Sequence, residues 1–271
     1  GYNMRVFSSD KITGPYKDIS GRDARYGMYN ASVINSGAGK INGSTGARQM
    51  TYYKWNFMNY GYVAEGHNSA FVDADGKSFV VYHTRFNNRG EVHEVRVHQM
   101  FEAKNGGLVT APFEYSGETL ADKAYDTSDV TGTYHVLAME STDYASLECA
   151  AEKEIQLNAD GTVSGAYTGT WTQTADGPYL TITAGGVTYQ GVFLTQNLEN
   201  TNYNTMCFTT IGGNGISLWG YHDLRGQDAV VYAANELSIA SQTFAGSKLS
   251  LPSSSSLGAS YTWKSANTSV I

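Results

Sequence analysis

The sequence has few cysteines and prolines, and it contains no long apolar run. Its two cysteines, Cys149 and Cys207, lie far apart without metal-type spacing, which excludes a cysteine-based metal centre; whether they pair depends on geometry that a sequence does not give. Only four prolines among 271 residues argue against a proline-rich disordered chain. No apolar stretch is long enough to span a bilayer, and no long amphipathic helical pattern occurs.

The abundant residues favour β-structure. The chain contains 30 glycines and 20 tyrosines, and charged residues make up only 16% of it. Aromatic and β-branched residues favour strands, and frequent glycines favour the turns between them. The sequence therefore predicts an all-β protein, long enough for two ordinary domains or one large β domain.

Charge divides the chain near residue 118. Residues 1–117 contain 13 Lys and Arg against 10 Asp and Glu, a net charge of +3, whereas residues 118–271 contain 5 against 15, a net charge of −10. A shift of this size predicts a domain boundary. The acidic C-terminal part argues against nucleic acid and anionic membranes as partners.

Residues 1–117 show a pattern of short strands separated by turn signals. Asp75-Gly76 and Arg89-Gly90 predict the two turns of an antiparallel meander. Sheets of about four strands are the building block of β-propellers, and only part of such a ring fits in this segment. The predicted strands are residues 2–8, 29–34, 70–72, 78–86, 92–101 and 108–115.

Residues 118–234 predict a second set of antiparallel strands, and residues 235–271 form a third segment. Short strands at regular spacing favour a closed barrel or a sandwich. The third segment alternates at 237–239, 249–251 and 261–265, which predicts the opening strands of an immunoglobulin-like (Ig-like) module, too few to fold alone. The strands predicted in the second set are 133–139, 153–157, 162–167, 169–173, 179–183, 187–194, 206–211, 216–221 and 229–232.

A polar cluster, Gly66-His67-Asn68-Ser69, stands directly before the strand predicted at residues 70–72. Polar side chains at strand ends are where sheet proteins place ligand and metal contacts. His67 can be a metal ligand or, more often for this residue type, a histidine hydrogen-bonded inside a packed sheet. Asn68 and Ser69 are expected to cap the backbone or to hydrogen-bond to metal ligands without binding the metal themselves.

Other polar and aromatic residues have competing interpretations. His83 and Arg85 share one face of their strand and can line a cavity or form a structural pair. His93 and His98 differ in parity, so they face opposite sides and cannot chelate jointly without a bulge. Glu65 is expected to be a solvated loop carboxylate. Four aromatic residues of the second part can form a sugar-stacking platform, but such residues more often fill a barrel core: Trp171, Tyr179, Trp219 and Tyr221.

Five segments occur in a specific order and spacing: Gly1–Val6, Ser8–Asp18, Gly61–Ala70, Phe79–Phe86 and His93–Met100. Together they resemble the final part of a glycoside hydrolase family 43 propeller of the endo-α-1,5-L-arabinanase type. Residues 128–234 resemble the β-barrel domain that follows the propeller in some extracellular arabinanases. Residues 235–271 resemble the start of a bacterial Ig-like module.

The resemblance implies a partial five-bladed propeller (residues 1–117), an accessory barrel (118–234) and the start of the Ig-like module (235–271). It also implies inverting hydrolysis by a carboxylate base and a carboxylic acid. In the family the functional carboxylates precede the motif that begins at Gly1. We therefore expect no catalytic residue in this chain, which we interpret as an internal fragment of a longer protein.

One functional residue is implied within the chain itself. His67 resembles the family's ligand of a central metal ion, usually calcium held mostly by water. Asn68, Ser69, His83 and Arg85 are expected behind this ligand or in the substrate cleft.

The resulting hypothesis is a bacterial enzyme, extracellular or attached to the cell surface, that cleaves internal α-1,5-L-arabinofuranosyl linkages of plant cell-wall arabinan. A monomer without membrane insertion is expected. Three alternatives remain open. They are an exo-acting arabinofuranosidase or xylosidase of the same family, a non-catalytic glycan-binding surface protein and, as the weakest, a lipocalin-like carrier of a small apolar ligand.

Overall fold

The computed structural model describes residues 2–26, 46–140, 145–239, 246 and 248–266. The chain forms two compact units, Gly1–His222 and Asp223–Ile271. All strands of the described chain belong to the first unit, which confirms the all-β prediction for it. The strand predicted at residues 29–34 lies outside the described residues.

Two antiparallel sheets form the N-terminal part of the first unit. β1 (Met4–Val6) pairs with β2 (Ala47–Met50). The second sheet has four strands in sequential order, as predicted for a meander. Asp73 accepts hydrogen bonds from the backbone of Asp75 and Lys77 and so closes the first turn. The strands are β3 (Tyr62–Val72), β4 (Ser78–Phe86), β5 (Glu94–Glu102) and β6 (Leu108–Thr110).

Eight antiparallel strands then close a barrel in the order β10-β11-β12-β13-β14-β7-β8-β9. Closure pairs every strand on both sides, so no edge is left open. Of the two predicted alternatives, barrel or sandwich, the structure shows the barrel. The strands are β7 (Gly132–Ala138), β8 (Lys153–Leu157), β9 (Thr162–Gly165), β10 (Gly169–Gln173), β11 (Tyr179–Ala184), β12 (Val187–Asn197), β13 (Asn204–Gly212) and β14 (Ser217–His222).

Side chains fill the barrel. Tyr134, Phe193 and Phe208 form a buried aromatic cluster with ring centroids 5.3 to 6.4 Å apart. Trp171 packs against Phe193, and its indole nitrogen donates to the carbonyl of Asn158. A barrel of eight strands is either filled by its own side chains or holds one small ligand, and the aromatic cluster shows the filled case here. This packed interior argues against the lipocalin-like carrier.

An aromatic layer joins the outer surface of the barrel to the rest of the first unit. Trp219 of β14 meets Tyr53 edge-on at 5.2 Å and lies parallel to His98 of β5 at 6.0 Å, measured between ring centroids. Tyr221 meets Trp55 at 5.0 Å. Trp171, Trp219 and Tyr221 are thus buried packing residues, and Tyr179 is half-buried. One compact unit extends across residue 118, where the predicted domain boundary stays a prediction.

The second unit contains the helix Gly226–Glu236 and an irregular segment. The strand predicted at residues 229–232 is wrong, because Ala229 and Ala233, four residues apart, form the buried face of this helix. Within the described part of this unit, residues 237–239, 249–251 and 261–265 form no strand, and Ser254 and Ser260 form an isolated bridge. The Ig-like module stays a prediction.

Cys149 and Cys207 are free thiols. Cys207 is completely buried in β13, and Cys149 is partly buried beside Gly61. Burial raises the pKa of both thiols, that of Cys149 to about 12.

We therefore expect two thiols to react with Ellman's reagent in the denatured protein and only slow reaction in the native one, because the thiolate is the reactive form. A chain without reactive thiols after denaturation under non-reducing conditions would contradict this arrangement. Cys149→Ser is the matched control, since it should leave one slowly reacting thiol.

Candidate functional site

Two bulges interrupt the pairing of β3 with β4 around Gly66. On either side of Gly66, the next paired position is three residues away along β3 but only two residues away along β4, so β3 carries one extra residue on each side. Ala64 and His67 take left-handed backbone conformations with φ of 58° and 48°. The predicted position of the polar cluster is therefore corrected, because β3 begins at Tyr62 and the cluster lies inside the strand. The bulges let its residues leave the regular ladder.

Three histidine rings meet beside these bulges. The ring centroid of His67 lies 6.0 Å from that of His83, which lies 5.1 Å from that of His93. Tyr2 meets His83 edge-on at 6.1 Å, and a Cβ added at Gly66 would lie 3.0 Å from the Tyr2 ring. Partial burial lowers the pKa of His83, and the imidazoles of His93 and His67 lower it further. The alternation of side chains along a strand did not predict that His93 lies beside His83, because His93 is in the turn between β4 and β5 and not in a strand.

The other predicted site residues have different positions. Asn68 and Ser69 are exposed on the outer part of β3. Arg85 shares the half-buried face of β4 with His83, as alternation predicts. Its guanidinium donates to the carbonyl of Gly90 at 3.0 Å and pairs with the Glu91 carboxylate. Of the two β4 residues, the structure brings His83 to His67 and directs Arg85 to the β4–β5 turn.

Glu65 is completely buried, contrary to the expected solvated carboxylate. Neither carboxylate oxygen has a hydrogen-bond partner within the described chain. Burial raises the pKa of Glu65 to about 8. In a regular strand Glu65 and His67 would share one face, but the bulge turns Glu65 inward and His67 outward.

A buried polar network anchors the start of β3 to the barrel. The Tyr62 hydroxyl donates to a carboxylate oxygen of Glu199, in the β12–β13 connection, and accepts from Arg96 Nε at 3.1 Å. Arg96 also pairs with Glu94 at 2.6 Å and Glu114 at 3.4 Å. Burial raises the pKa of Glu199 to about 7. Sequence reasoning missed Glu199 because its partners are far away in the chain.

His98 is a buried packing residue of the same junction. Its Nδ1 lies 2.8 Å from the carbonyl of Ala111, and its Nε2 lies 3.0 Å from the hydroxyl of Tyr82. Because a carbonyl only accepts, Nδ1 carries the proton and Tyr82 donates to Nε2. Burial lowers the pKa of His98 to about 4, so it is neutral.

The described side chains near His67 offer few ligands for a metal ion. Calcium takes about six to eight oxygen ligands. Within the described residues, no group of three or more His, Cys, Asp and Glu side chains converges to hold a metal ion. His67 is exposed, so water can reach its imidazole. A calcium ion at His67 would therefore have to take most of its oxygen ligands from water, and calcium at this position stays a prediction.

Comparison with known proteins identifies the family. A family model for the glycoside hydrolase family 43 C-terminal lipocalin-like domain matches residues 112–220. Extracellular endo-α-(1→5)-L-arabinanase 2 of Bacillus subtilis strain 168 is 39% identical over 227 residues, which are 81% of this chain and 46% of that protein. The chain belongs to glycoside hydrolase family 43.

Solved structures agree with this assignment. The family 43 chain matches the YxiA glycoside hydrolase of Bacillus licheniformis with a TM-score of 0.70 at 35% identity. It matches the endo-1,5-α-L-arabinanase of Thermotoga petrophila RKU-1, in complex with TRIS, with a TM-score of 0.70 at 33% identity. Both matches cover 81% of this chain and 48% of the other. The family 43 chain thus spans about half the length of the relatives it matches.

A separate observation concerns membranes. No helix among the described residues of the family 43 chain is long and apolar enough to cross a bilayer.

Proposed function

We propose that this chain is part of an extracellular enzyme that cleaves internal α-1,5-L-arabinofuranosyl linkages of arabinan. The observation that carries the proposal is the 39% identity, over 81% of the chain, to a protein named an extracellular endo-arabinanase. A second relative, from Thermotoga petrophila, has the same named activity and is 35% identical over 225 residues. Plant cell-wall arabinan is the proposed substrate of the whole protein.

The proposed architecture follows from the sheets. The four-stranded meander β3–β6 has the strand number and order of one propeller blade, and we propose that it belongs to a five-bladed ring completed by residues outside this chain. Residues 235–271 are proposed to begin an Ig-like module, which is supported by sequence alternation.

Hydrolysis with inversion needs a carboxylic acid at the leaving oxygen and a carboxylate that activates water, about 6.5 to 9.5 Å apart. We assign neither role to a residue of this chain. Glu65 is a poor candidate for either role, because it is completely buried and cannot reach a polysaccharide. The catalytic pair is proposed to lie outside the chain.

The role proposed for this chain is to place His67 at the substrate region as a ligand of calcium. When bound, the ion supplies positive charge beside the substrate. The exposed imidazole of His67 and the adjacent ring of His83 support this assignment. His83, Asn68 and Ser69 then surround the ligand rather than hold the ion.

The test uses the intact protein that contains this chain, with linear arabinan as substrate. We expect oligosaccharides of several lengths early in the reaction and an inverted anomer by NMR. His67→Ala should weaken calcium binding in calorimetry and lower activity by about 10-fold or more. His93→Ala, the same change at the neighbouring ring, is the matched control and should leave calcium affinity nearly unchanged.

Other results favour the alternatives. Release of single arabinose or xylose units only would replace the endo-acting proposal with an exo-acting enzyme. Binding of arabinan without turnover would favour a glycan-binding surface protein.

A further inference from the structure

We infer that Glu199, a residue of the barrel, is a positioning residue for the His67 site on β3. The inference rests on the proposed function in assigning a cation to His67. It gives the barrel a role at that site, exerted through Tyr62.

The His67 site is built on a strand with weak local support. Within the described residues, β3 is an edge strand that pairs in its sheet with β4, and on its other side an isolated bridge joins Tyr62 to Tyr53. Between Tyr62 and Ser69 its pairing to β4 is interrupted on both sides of Gly66. The position of His67 therefore depends on how firmly the buried start of β3 is held.

Tyr62 holds this start through its side chain, in addition to two backbone hydrogen bonds with Tyr53 of 2.8 and 3.1 Å. It is completely buried, and its ring contacts those of Tyr53 at 5.1 Å and Phe86 at 5.6 Å. Its hydroxyl lies between Glu199, to which it donates, and Arg96, from which it accepts. A barrel residue and a β5 residue thus fix the same atom, five residues before His67.

Burying the Glu199 carboxylate at this position costs desolvation free energy. Its side chain is only 8% exposed, and its second carboxylate oxygen has no hydrogen-bond partner within the described chain. Arg96 Nε lies 4.0 Å from the first oxygen, while two further carboxylates, Glu94 and Glu114, share the same guanidinium. A buried ion pair of this kind contributes little net stability, although it can specify one conformation. This favours a positioning role over a stabilising one.

The test compares Glu199→Gln and Tyr62→Phe in the intact protein. Both changes keep the shape of the side chain and alter the hydroxyl–carboxylate contact. We expect faster hydrogen exchange in residues 63–69, measured by mass spectrometry, and calcium affinity weaker by about 10-fold in calorimetry. Because both residues act through one contact, the double variant should be no worse than the stronger single variant.

Gln196→Met is the matched control. Gln196 is a buried barrel residue that donates to the carbonyl of Phe113 and to Glu118, and these partners lie outside β3. It should lower stability while leaving exchange in residues 63–69 and calcium affinity as in the wild type.

The outcomes separate this inference from the proposed function. Unchanged exchange in residues 63–69 of Glu199→Gln, or an equal change in Gln196→Met, overturns the positioning role. If the wild type binds no calcium but Glu199→Gln still loosens residues 63–69, the positioning of β3 is supported and the proposed metal role of His67 fails.

Discussion

Replacing Glu65 by glutamine is expected to stabilise the protein at neutral and alkaline pH and to remove the contribution of Glu65 to the pH dependence of its free energy of unfolding. The pKa of Glu65 is raised from 4.5 to about 8 by complete burial. Its folded-state pKa is above its unfolded value, so the wild type keeps its full stability below the lower value and loses stability as pH rises toward 8. The loss at pH 7 amounts to about 3 kcal/mol, which glutamine avoids because it carries no charge.

The measurement is urea unfolding of wild type and Glu65→Gln at about pH 5, 7 and 9, with a chelator present because a nearby cation would lower this pKa. Glu102→Gln is the control, since Glu102 is exposed at the end of β5 and should change little. The glutamine variant keeps a pH dependence from Glu199, whose pKa is raised to about 7 with the same sign as that of Glu65. His98 adds a contribution of opposite sign between about pH 4 and 6.5, because burial lowers its pKa to about 4. Parallel pH profiles for wild type and Glu65→Gln would show that Glu65 does not titrate in this range.

Replacing Trp219 by alanine is expected to cost about 3 to 5 kcal/mol and to loosen the contact between the barrel and the rest of its unit. Trp219 is completely buried, with Tyr53 on one side and His98 on another. Removing the indole leaves a cavity between two sheets that are not joined by a continuous hydrogen-bond ladder. Limited proteolysis should then cut β3–β6 more readily, and unfolding should broaden or separate into two transitions.

Trp171→Ala is the matched control, because it removes the same side chain from inside the barrel. It should destabilise the barrel by a similar amount without selective cleavage of β3–β6. The same cleavage pattern in both variants would mean that Trp219 contributes to general core packing and not specifically to the contact between the barrel and β3–β6. Retention of a single sharp transition by Trp219→Ala would lead to the same conclusion.

Local sequence signals located many of the elements. β4, β8 and β10 have the predicted bounds, and Gly76 takes the positive φ expected after Asp75. Such signals depend on side-chain alternation and on the backbone freedom of glycine in turns, which are properties of adjacent residues. The resemblance that placed the chain in family 43 also rests on the order of segments along the sequence.

The same local rules failed where distant contacts decide. Residues 229–232 alternate like a strand but form part of a helix, whose buried residues are Ala229 and Ala233. Glu65 is expected to be solvated from sequence alone, because nothing adjacent in the chain indicates that the fold buries it completely.

The sequence by itself determined the all-β character of the first unit, the meander, most strands of the barrel and membership of family 43. Only the tertiary structure decided that the barrel closes, that Glu65 and His67 point to opposite sides of β3, and that Glu199 reaches Tyr62. The physical reason is that bulges and buried charges depend on partners far apart in the chain. Their energies are set when sheet and barrel pack together, and alternation along one strand carries no record of that packing.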